Sequence, residues 1–106
     1  MFRYDTKVIR HVVLMKFTHP SDATEAADRL RALATRIEEI AELHVAIDML
    51  VSEVNWHLVL TTRHTCREEL KAYQQHPAHQ EFGTWVLPRL AERAVVDHEI
   101  DSGSHA

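Results

Sequence analysis

The apolar pattern begins at residues 8–17, a run rich in β-branched side chains with few breakers, which predicts a strand. Side chains alternate across a strand, so Ile9, His11, Val13, Met15 and Phe17 share one face. Val8, Arg10, Val12, Leu14 and Lys16 share the other, and since both faces are largely apolar, both need cover. His19-Pro20-Ser21 ends the run. Asp22 with Glu25 then reads as a capping box for a helix over 23–42, with Leu30, Leu33, Ile37 and Ile40 as its apolar stripe. Strands are expected over 45–51 and 55–62. In the second of these His57, Val59 and Thr61 point one way, and Trp56, Leu58 and Leu60 the other. A short helix over 67–75 puts Leu70 and Tyr73 on one side. Pro77 suits a first helical turn, so another helix runs from there to about residue 90, carrying Phe82, Trp85 and Val86, with Pro88 placed to kink or end it. Residues 95–100 form the last strand.

Strand, helix, strand, strand, helix pair, strand is the order of an α+β fold of ferredoxin-like βαββαβ type. Right-handed crossovers give it a four-stranded antiparallel sheet with both helical layers on one side. If the helices cover the face of His11 and Val59, then Val12, Leu14, Trp56, Leu58 and Leu60 lie on a bare sheet. An apolar patch of that kind is seldom left in water. Burying four or five such side chains on a partner contributes roughly 6 to 12 kcal/mol before association costs. The expected partner is a second copy, sheet against sheet about a two-fold axis, with these five residues as the interface.

Composition narrows the function classes. A length of 106 residues suits one domain, expected over 7–101 with 1–6 and 102–106 as flexible termini. The net charge is −4 and the Lys and Arg residues are scattered, so no nucleic-acid partner is expected. The apolar runs reach about four residues, too short to cross a bilayer. No charged and then apolar leader opens the sequence, and the lone Cys66 suits a reducing compartment, so a cytoplasmic location is expected. With two glycines there is no phosphate-binding loop, and no cofactor is expected. Nine histidines are spread along the chain. His76 and His79 stand at i and i+3, but no third ligand follows at a recognisable spacing, so no metal site is expected.

Three segments then stand together. Ile9-Arg10-His11-Val12-Val13-Leu14-Met15-Lys16-Phe17 resembles the first strand of the stress-responsive dimeric α/β-barrel (Dabb) family. Tyr73-Gln74-Gln75-His76-Pro77-Ala78-His79 resembles its Tyr-x-x-His-Pro-x-His signature, and residues 93–100 resemble its last strand. The resemblance implies a ferredoxin-like monomer and a dimer that closes a barrel. The family includes small stress-induced proteins and a plant polyketide cyclase that performs an aldol-type ring closure in a pocket between sheet and helices. The positions that match its Tyr–His pair are Tyr73 and His79, and His11 and His57 match further histidines. The residues between Leu43 and Val54 and the residue Met15 depart from that enzyme, so substrate identity does not carry over.

These residues frame the candidate chemistry. His79 suits proton abstraction next to a carbonyl, because imidazole exchanges protons near neutrality. Tyr73 suits hydrogen bonding to the developing enolate. Equally, His76 and His79 can bind helix-end backbone groups while Tyr73 packs its ring. The ligand pocket is expected to comprise His11, Val13, Met15, His57, Val59, His76 and Phe82. Antiparallel pairing of the first and third strands puts His57 at the far end from His11. Three functions stay open: a binder of a small apolar ligand, a polyketide cyclase-like lyase, and a non-catalytic stress-response protein.

Overall fold

In the computed structural model, which describes residues 7–101, the elements run β1 (Lys7–Phe17), α1 (Asp22–Arg36), β2 (Glu42–Ile47), β3 (Leu58–His64), α2 (Arg67–Gln75), α3 (Pro77–Val86), a 3₁₀ turn (Leu87–Arg89) and β4 (Leu90–Asp101). The sheet order is β2-β3-β1-β4, antiparallel throughout. This is the ferredoxin-like arrangement. The two expected flexible termini lie outside the described residues.

α1 lies on the sheet through Ala23, Ala26, Ala27, Leu30 and Leu33, all buried. Three alanines let its backbone approach β2 closely, and it also meets α3. The helix ends at Arg36, short of the expected 42. Ile37 turns to extended backbone, its N–H closing onto the Leu33 carbonyl, and the side chains of Ile37 and Ile40 plug the core from the turn that follows. Glu38, Glu39 and Glu42 follow the last helical turn, where negative charge opposes the helix dipole. Nor does the capping box form, because Ser21 is the N-cap and makes no side-chain bond, while Glu25 pairs with Arg29. β2 correspondingly starts three residues early, and Met49, Leu50 and Val51 stand exposed in the loop beyond it.

Pairing across the sheet fixes which side chains share a face. Met15 lies opposite Leu58, Val13 opposite Leu60, His11 opposite Thr62 and Ile9 opposite His64. Leu58, Leu60, Thr62 and His64 are therefore buried beneath the helices. The expected assignment of β3 is corrected here: Leu58 and Leu60 belong to the core, and Val59 lies on the open face opposite Leu14. Periodicity marks a strand but not its phase, and both alternate sets of β3 carry apolar residues. The open face comprises Val12 and Leu14 of β1, Val59 and Thr61 of β3, Ala46 of β2, and Ala94 and Val96 of β4. Trp56 precedes β3 and borders a groove with Leu14, Ala46 and Val59.

Candidate functional site

α2 ends where the sequence places Pro77. The residue before a proline is held extended, and His76 adopts that backbone, with φ −64° and ψ 137°. Its ring Nδ1 accepts a hydrogen bond from the Ala78 N–H at 3.0 Å, which caps α3. His76 is thus the pivot between the helices. Three residues on, the start of α3 brings the His79 ring edge-on to Tyr73 at 4.7 Å between centroids.

Tyr73 is fully buried, and two further histidines reach its ring from the sheet: His64 at 4.9 Å and His11 at 5.9 Å. Burial pushes the Tyr73 phenol well up, so it is a donor at any physiological pH. His64 spends both nitrogens locally. Nδ1–H donates to the Glu39 carbonyl at 2.7 Å, which leaves Nε2 to accept from the Thr62 hydroxyl at 2.8 Å. Burial holds its pKa below the ordinary histidine value. His79 is lowered too, first by burial and then by the nearby His11 and Arg93. It is therefore a neutral imidazole at neutral pH, able to accept a proton.

His11 pairs with an acid instead: its Nδ1 sits 2.5 Å from Asp97 Oδ1, the ring N–H donating to the carboxylate. A carboxylate that fixes the tautomer and orientation of a histidine is the arrangement that prepares Nε2 as a base.

A cavity of about 570 Å³ opens between the sheet and α2–α3, bounded by His11, Val13, Met15, Leu60, Tyr73, His79, Phe82, Val86, Arg93 and Val95. Of the residues expected to line a pocket, His11, Val13, Met15 and Phe82 do so, and Tyr73 and His79 join them. His57, Val59 and His76 do not. His57 sits at the far end of β1, its Nδ1 accepting from the Phe17 N–H at 2.9 Å with its ring stacked on Phe17. Val59 points to the open face, and His76 is occupied as a cap. The sequence reading missed Asp97, His64 and Arg93. Asp97 and Arg93 stand on alternate positions of β4, as residues sharing a face must, but only pairing with β1 shows that the face is this one. Among the described residues no group of three or more His, Cys, Asp or Glu side chains converges to hold a metal ion.

The sequence profile of the stress-responsive A/B barrel domain, Dabb, matches residues 9–100. The chain belongs to this family. Among solved structures, this Dabb domain is similar to a dimeric ferredoxin-like protein of unknown function from Thermobifida fusca, at 21% identity over 94% of this chain and 97% of that one, with a TM-score of 0.79. A protein from Arabidopsis thaliana is 25% identical over 92% of this chain and 99% of its own, with a TM-score of 0.75. A hydroxynitrile lyase from Passiflora edulis aligns over 92% of this chain and 96% of its own with a TM-score of 0.77, yet is only 14% identical, a likeness of fold alone. No curated protein matches. Among the described residues no helix of the Dabb domain is long and apolar enough to cross a membrane.

Proposed function

We propose that this Dabb domain works as a cytoplasmic homodimer, each subunit holding a small, largely apolar ligand between its sheet and α2–α3. The observation that carries the reading is the cavity of about 570 Å³, apolar over most of its wall, onto which His11, Tyr73 and His79 converge. The dimer is supported by the apolar open face and by fold relatives described as dimeric. The single Cys66 suits a reducing cell interior.

A second reading is favoured by the contact between the Tyr73 and His79 rings. A phenol kept protonated beside a histidine kept neutral is a donor–acceptor pair for enolate chemistry, as a cyclase-like lyase requires. One experiment addresses both. Benzylacetone, a neutral ketone with an aromatic body, is added to the labelled protein in D₂O. Shifts of the Tyr73 and His79 resonances report binding, and deuterium entering the carbons beside the carbonyl reports catalysis. Binding is expected in either case. Catalysis predicts exchange faster than buffer, falling about 100-fold or more in His79→Gln. Exchange at the buffer rate removes the enzymatic reading. Resonances that stay put to the solubility limit of the ketone remove the pocket reading and leave a stress protein that acts through assembly.

A further inference from the structure

Arg93 pairs with Met15 across β1–β4, so it stands on the face that α2 and α3 cover, and it borders the cavity with His11, Tyr73 and His79. A guanidinium beside apolar wall is stabilised by a counter-charge. Most described arginines have a partner. Arg29, Arg31, Arg36, Arg63 and Arg67 each meet a carboxylate. Arg89 lies over Trp85 and donates to its carbonyl. Arg10 is on the opposite face of the sheet. Arg93 alone borders the cavity, and among the described residues no carboxylate pairs with it. The acid two turns of the pleat further along β4, Asp97, is engaged by His11.

We propose that Arg93 anchors the carboxylate of an organic monoacid whose apolar body fills the cavity against Val13, Met15, Leu60 and Phe82. This rests on the ligand-pocket reading above and names the class of ligand. The acid group would sit towards solvent, because Arg93 is exposed while those four side chains are buried. A carboxylate suits the site better than a phosphate. It matches the planar fork of a single guanidinium. No lysine borders the cavity to balance a second charge, and the Asp97 carboxylate faces the same side. Arg93 and His79 border the same cavity, and after burial and His11 the guanidinium adds to the lowering of that ring, so a bound acid would lie within the field of the histidine–tyrosine pair.

The test uses the whole chain and three probes with one aromatic body: hydrocinnamate, its neutral amide, and phenethylphosphonate. Titrations followed by calorimetry and by the His79 resonance should show hydrocinnamate binding at least about tenfold more tightly than the amide, the gain of a charge-assisted bond. Arg93→Gln should bring the acid down to the amide and leave the amide unchanged, and Arg93→Lys should keep part of the difference. Equal affinities of acid and amide, or an acid indifferent to Arg93→Gln, overturn the anchor while the pocket stands. A phosphonate preferred to the acid overturns the carboxylate assignment. Failure of all three probes to bind overturns the pocket and the anchor together.

Discussion

Burial divides the histidines by role. His64 is wholly enclosed, with a carbonyl on one nitrogen and a hydroxyl on the other, and burial disfavours its charged form. Its folded pKa is below the unfolded value of about 6.5. On acidification the unfolded chain takes up this proton first, so the stability it supports is complete above that value and is lost as pH falls towards the folded pKa. His79, lowered in the same direction, adds to the slope. Urea midpoints measured through the mildly acidic range should therefore fall with pH. His64→Gln should flatten the fall by up to one proton, about 1.4 kcal/mol per pH unit. An unchanged slope in the variant would show that His64 is not the group titrating. His76 plays a different part, as a backbone cap, and is half-buried.

That cap belongs to the behaviour of α3 as an element. His76→Ala should cost about 1 kcal/mol in chemical denaturation and speed amide exchange at Ala78, whose N–H loses its acceptor. His76→Asn should recover most of both. A loss confined to ligand binding, with no change in stability, would contradict the capping role. α2 was legible to the residue because Pro77 punctuates its end, and the family segments placed His11, Tyr73 and His79 in one neighbourhood. The end of α1 was not, since Ile37 and Ile40 prolong a helical spacing that the chain uses in a turn. The phase of β3 was not either. Leu58 and Leu60 compete with Val59 for the core, and the register with β1 decides between them. Asp97 is one of four acids in β4, and nothing in the strand's sequence singles it out. Its partner His11 lies 86 positions away, and only the β1–β4 ladder joins them.

For the whole molecule, the proposed dimer rests on the open face of Val12, Leu14, Val59 and Val96. In the single chain Leu14 is 37% exposed and Val96 60% exposed, an apolar surface a partner sheet would cover. In sedimentation at micromolar concentration the protein should run as a dimer, and Leu14→Glu as a monomer. Leu60→Ala supplies the contrast. It should lose about 2 to 5 kcal/mol of fold stability through a core cavity and remain dimeric. Dimeric Leu14→Glu would place the contact elsewhere.

The ladder between β1 and β4 changes register once, between Lys16 and Phe17. Beyond that step Arg93, Val95 and Asp97 fall on odd positions and line one side, while Ala94, Val96 and His98 fall on even positions and line the other. One residue inserted between Leu90 and Arg93 would invert this parity. The guanidinium and the carboxylate that orients His11 would swing outward together, and Ala94 and Val96 would turn inward. Composition and pairing would barely change. In such a strand polar function is gained or lost as a block, by a change of length as readily as by a change of side chain.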